Sequence, residues 1–152
     1  MATVEVSFTP VTAHVRTARL VALAVARRAG VDDETLDEVR LAVGEACSRA
    51  VGIHSHVAAE QPVVMKLSDD RDQFAIEVVD RGVLDEDPAG LTDLDLTEIS
   101  SRAFDDDIPD AMPSGFGLAV ISGLVEDLEV AGDATSTRVT MRWPTAARRR
   151  RI

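Results

Sequence analysis

Three short stretches of this sequence combine residue types and spacings that suit chemistry. The first is Gly115-Phe116-Gly117, which stands just before a run of helical character. Glycines there let the backbone come close to an anion, and the free N–H groups of a helix start point outward, so this is a candidate phosphate site. It is not a dinucleotide fingerprint, because the third glycine position is Val120 and the stretch follows a loop. Taken alone, it reads first as a helix entry with a flexible φ. The second is Asp80-Arg81-Gly82 at the end of a β-rich stretch. A carboxylate there can accept a hydrogen bond from a ligand amino group; its plainer reading is a turn aspartate. The third is Glu45 with Arg49, four residues apart on a helix, the spacing of a solvated ion pair. Glu45 is also a candidate general base, although a neighbouring arginine lowers a carboxyl's pKa and occupies its oxygens. Cys47, His54 and His56 are close in sequence but too few for a tetrahedral metal site, so they read as a buried cysteine and surface histidines. No Ser/His/Asp arrangement can be argued from spacing. Four Phe, one Trp and no Tyr argue against base-stacking platforms.

These residues need elements to hold them. Thr3 to Thr9 alternates, with Val4, Val6 and Phe8 on one side and Glu5 and Ser7 on the other, which predicts a half-buried strand stopped by Pro10. From about Val11 to Ala29, Val15, Ala18, Ala22 and Val25 fall at helical spacing before Gly30, a C-terminal cap. Asp32 or Asp33 caps a second helix. Its apolar stripe runs Leu36, Val39, Val43, Ala46 and Ala50, and it ends near Gly52. Pro62 to Leu67 and Gln73 to Asp80 are β-rich and joined by a polar turn, so they should pair antiparallel. Residues 81–114 hold three prolines and acidic runs, and a loop of that length reads as a lid. A short helix from about Gly117 to Val125 follows, then a hairpin of Leu128 to Ala131 and Thr135 to Trp143. This order places helices on one face of a mostly antiparallel sheet, an α+β two-layer sandwich.

Composition bounds the rest. The 152 residues suit one domain, since domains cluster at roughly 100–150 residues. We read 1–145 as that domain and 146–152, with its four consecutive arginines, as a disordered basic tail. Net charge is −11, which argues against direct nucleic-acid binding. Between Asp80 and Asp110 the chain carries eleven acids against only Arg81 and Arg102. The longest apolar run, Leu20 to Ala26, is far short of the roughly 18 residues that cross a bilayer. The start of the chain has no basic-then-apolar leader and the single cysteine has no internal partner, so the expected location is the cytoplasm.

In order and spacing, the stretches resemble the GHKL ATPase superfamily, and within it the small bacterial anti-sigma-factor serine kinases of the RsbW type. Glu45-Ala46-Cys47-Ser48-Arg49-Ala50-Val51 is similar to the helix motif Glu-Ala-x-x-Asn-Ala-x. Val78-Val79-Asp80-Arg81-Gly82 resembles the first glycine box, and Ser114 to Ile121 the second. Ser136-Thr137-x-Val139 resembles the family's Gly-Thr-x-Val strand.

The resemblance implies a Bergerat fold (the histidine kinase-like ATPase fold) that sequesters a sigma factor and is controlled by a STAS-domain anti-anti-sigma factor. It also implies ATP and Mg²⁺, used in active members to phosphorylate a serine of the STAS partner. By analogy Asp80 reads the adenine amino group, Gly82, Gly115, Gly117 and Thr137 frame the nucleotide, Glu45 activates the attacking hydroxyl, and Arg19 meets a partner. A homodimer is implied on the same grounds. Two departures stand out. Arg49 replaces the magnesium-binding Asn, and the chain contains no asparagine. A guanidinium only donates hydrogen bonds and cannot ligate a cation. Leu84 replaces the second glycine of the first box. The expectation is therefore an anti-sigma-type regulator without kinase activity, its adenine end intact and its phosphoryl-transfer end damaged. The alternative is an active ATP-dependent protein serine kinase in which Arg49 serves the phosphates.

Overall fold

Alternation along three central strands builds the core in the computed structural model, which describes residues 2–82, 121–125 and 127–151. The elements are β1 (Ala2–Phe8), α1 (Thr12–Ala29), α2 (Asp33–Val57), β2 (Val63–Asp70), β3 (Gln73–Asp80), β4 (Asp127–Gly132), β5 (Thr137–Pro144) and α3 (Ala146–Arg149). The strands form one five-stranded sheet in the order β1-β2-β3-β5-β4, and every neighbouring pair is antiparallel. Val63, Met65 and Leu67 of β2, Phe74, Ile76 and Val78 of β3, and Val139, Met141 and Trp143 of β5 are buried. The register sets Phe74 opposite Trp143, Ile76 opposite Met141 and Val78 opposite Val139. Each such apolar side chain contributes roughly 1.5–3 kcal/mol by leaving water. The α+β architecture is as the sequence implies.

Helices α1 and α2 cover this face. Helix α1 buries Val15, Ala18, Ala22 and Ala26, and α2 buries Leu36, Val39, Ala42, Val43, Ala46, Cys47 and Ala50. The small side chains let the two helices and the sheet approach closely. Gly30 ends α1 at φ 89°, its N–H bonded back to the carbonyls of Ala26 and Arg27, the left-handed cap that favours glycine.

Three local expectations are corrected. Helix α2 does not end near Gly52 but continues to Val57. A glycine inside a helix costs only about 1 kcal/mol relative to alanine, and the extra turn buries His54 completely. His54 is therefore not a surface histidine; His56 is exposed. The tail is not disordered through residues 146–151. The Ala146 N–H donates to the Gly30 carbonyl, the buried Thr145 hydroxyl donates to the Arg71 carbonyl, Arg149 pairs with Asp32 at 2.8 Å and Arg151 pairs with Asp72. Asp32 is the N-cap residue of α2, but its carboxylate holds Arg149 and makes no capping bond. The acidic lid from residue 83 onward, Leu84, and Gly115 and Gly117 lie outside the described residues. Residues 121–124 are helical, with Ile121 and Val125 buried. Among the described residues no helix is long and apolar enough to cross a membrane.

Candidate functional site

At one end of the core the apolar rows turn polar. In β3 the core-facing sequence Phe74, Ile76, Val78 is followed by Asp80, and in β5 Val139 is preceded by Thr137. The register sets Asp80 opposite Thr137. Both are buried, Asp80 at 1% exposure. A carboxylate so placed needs partners, because burying an unpaired charge is prohibitively costly. Its Oδ2 accepts from Arg49 Nη1 at 2.7 Å, and its Oδ1 accepts the Gly82 N–H at 2.7 Å. Arg49 comes from α2, one turn beyond Glu45, and is itself buried.

The segment leaving β3 is fixed from every side. Thr137 Oγ1 donates to the Gly82 carbonyl at 2.8 Å. The Arg81 N–H donates to His54 Nε2 at 2.9 Å, while His54 Nδ1 lies 2.9 Å from the Gln61 carbonyl. A carbonyl only accepts, so Nδ1 carries the proton and the ring is neutral with Nε2 as acceptor. Gly82 is required by space: a Cβ there would stand 2.6 Å from Ile53 Cγ2 and 2.9 Å from Asp80 Oδ1.

Arg49 thus joins Asp80, and not Glu45 as helical spacing suggests. Glu45 is partly buried, and burial pushes its carboxyl above the ordinary carboxylate value, with the Arg19 charge pulling part of that back. Arg19 lies along α2, its Nη2 2.9 Å from where a Cβ on Gly44 would stand. Its Nε is buried with no acceptor among the described residues. Cys47 is buried, and its thiol is pushed up to about 12 by that burial, so it is protonated and unreactive at neutral pH. Among the described residues no group of three or more His, Cys, Asp or Glu is placed to hold a metal ion.

The structure brings Asp80, Gly82, Thr137 and Arg49 together and sets Glu45 one turn away. It adds His54 and Ile53, which sequence reading missed. His54 falls four residues beyond Ala50 on the apolar stripe of α2, and that spacing was the signal for its burial.

The sequence pattern that defines the histidine kinase-like ATPase domain matches residues 8–143. The chain belongs to that family. Among solved structures, the RsbU and RsbW domains of Rv1364c from Mycobacterium tuberculosis match with a TM-score of 0.63 at 15% identity. That match covers 93% of this chain, which spans 32% of the other. At such identity the likeness is one of fold. The search of curated proteins found no significant match.

For a family of ATPases, the residues at this end of the site fit poorly to a metal nucleotide. The guanidinium of Arg49 offers donors where a cation needs acceptors. Asp80 is covered, its nearest charged partner already in place. Asp80, the carboxylate that the resemblance expects to read the base, is held here by Arg49.

Proposed function

We propose that the protein is a partner-switching regulator that sequesters a sigma factor, is released from it by a STAS-domain anti-anti-sigma factor, and does not transfer phosphate. The observation that carries this reading is the buried Arg49–Asp80 pair. It supports the reading because, by the resemblance, Arg49 stands in for a metal-binding asparagine and Asp80 for a base-reading carboxylate, and here the two are paired with each other. Fold likeness to a protein with an RsbW domain supports the regulatory class, and α1 with Arg19 is the surface proposed to meet partners. ATP and magnesium are not needed for this function, which is set in the cytoplasm. A homodimer is compatible with it.

One observation favours the kinase alternative. Glu45 keeps a raised carboxyl next to the site, a property suited to a general base. Capture of candidate sigma factors and STAS proteins from the same cell, combined with transfer of labelled γ-phosphate, separates the two. Capture without label transfer is the expected result. Transfer to the STAS protein that Glu45→Ala abolishes would establish the kinase, and capture of neither partner would overturn the regulatory reading.

A further inference from the structure

The polar network at residues 80–82 satisfies its own members. Both carboxylate oxygens of Asp80 accept a hydrogen bond, the Arg81 N–H has His54, and the Gly82 carbonyl has Thr137. Networks of this kind hold one shape when every member is paired. Among the described residues, the one charged partner from outside the strand end is Arg49, a planar group with N–H donors at its edge.

We propose that Arg49 is a built-in ligand of Asp80. Its guanidinium fills the position that the amino-bearing edge of a purine nucleoside would take, so the strand end keeps its ligand-bound shape with no nucleotide present. This deepens the reading above by naming how its site is regulated, and it rests on that reading only in treating residues 80–82 as a nucleotide site.

Three observations support it. Asp80 is 1% exposed and its Oδ2 already accepts from Arg49 at 2.7 Å, so a ligand amino group aimed at that oxygen competes directly with the guanidinium. Arg49 is tethered through α2, whose apolar stripe is buried on both sides of it at Ala46 and Ala50, so the donor is pre-positioned and its local concentration is always saturating. A neutral amino group that displaced it would leave the buried carboxylate without a counter-charge, which is strongly unfavourable. The chain with Arg49 therefore excludes an adenine-type base, and removing the guanidinium uncovers a site for one.

The test is thermal unfolding of the full chain in EDTA, with adenosine as the probe and inosine as its control. Inosine carries a carbonyl where adenosine carries the amino group, and two acceptors facing each other repel. Neither compound should move the Tm of the wild-type chain. Arg49→Ala should lower Tm by roughly 10 °C, and saturating adenosine should return about 5–10 °C of it while inosine returns nothing. Arg49→Met keeps the aliphatic bulk and should respond to adenosine in the same way if the alanine variant does not fold. The proposal is overturned if adenosine raises the wild-type Tm as much as a variant's, if neither variant responds, or if inosine is as effective as adenosine. Each measurement uses this chain alone, so it stands apart from partner capture, and failure of one leaves the other intact.

Discussion

Two arginine–aspartate pairs of almost equal length close opposite ends of the same sheet. Arg49–Asp80 spans 2.7 Å with side chains 7% and 1% exposed, and Arg149–Asp32 spans 2.8 Å with side chains 47% and 35% exposed. Distance does not separate them; water does. Around the first pair the low polarity of the interior strengthens the attraction and makes an orphaned partner costly. Around the second, solvent screens both charges and accepts either one alone. The first pair is thus a constraint on the site, and the second a fastening for the chain's end.

This contrast can be broken or sharpened by substitution. The largest effect is expected for Asp80→Ala, which strands the Arg49 guanidinium in the core and should cost about 3–5 kcal/mol in urea unfolding. Adding Arg49→Met to it should cost less than the two single losses summed, since the double variant leaves no buried charge. Gly82→Ala should cost about 1–3 kcal/mol, because the new methyl meets the Ile53 side chain and an Asp80 oxygen. Adding Ile53→Ala, which removes the crowding Cγ2, should recover part of that loss. At the other end, Arg149→Ala should cost about 0.2–1 kcal/mol, and added salt should shrink the difference. If its cost matched that of Asp80→Ala, the contrast drawn from burial would be wrong.

The smallest effect belongs to Glu45 and appears as a pH dependence. Its carboxyl is raised in the folded chain, so between the ordinary carboxylate value and the raised one the folded state binds more protons than the unfolded state. Stability from this group therefore falls as pH rises through that window, and the ionised carboxylate is a burden at neutral pH. Glu45→Gln should raise Tm slightly at pH 7 and leave it unchanged at pH 4. A loss of stability at pH 7 would show that the carboxylate is held by a favourable partner.

Much of the frame could be read from residue order alone. Alternation in Gln73–Asp80 placed Asp80 on the same side as Phe74, Ile76 and Val78, and helical steps placed Ala46 and Ala50 in the core. The partner of Arg49 could not be read in that way. Glu45 is the near neighbour along the helix, whereas Asp80 is 31 residues away and reaches Arg49 only through the packing of α2 on β3. The tail was misread for a related reason. Four arginines in a row look solvated, and all four are exposed, but Arg149 and Arg151 also find acceptors, Asp32, Thr35 and Asp72, that are scattered through the sequence. Gly52 misled as punctuation, because a helix with one buried face tolerates a glycine on the other.

The pairing of Asp80 with Thr137 also sets an order in time. The β2–β3 hairpin closes over the two residues Arg71 and Asp72, whereas Thr137 meets Gly82 across 55 positions of chain. Short closures form first and long ones wait for the ordering cost of the intervening segment to be met. During synthesis the hairpin and both long helices emerge well before β5, so the growing chain holds Arg49 and Asp80 without the strand that completes their surroundings. The site matures only when β5 (Thr137–Pro144) joins the sheet, and a chain cut short before β5 would carry Arg49 and Asp80 without the strand that completes their enclosure.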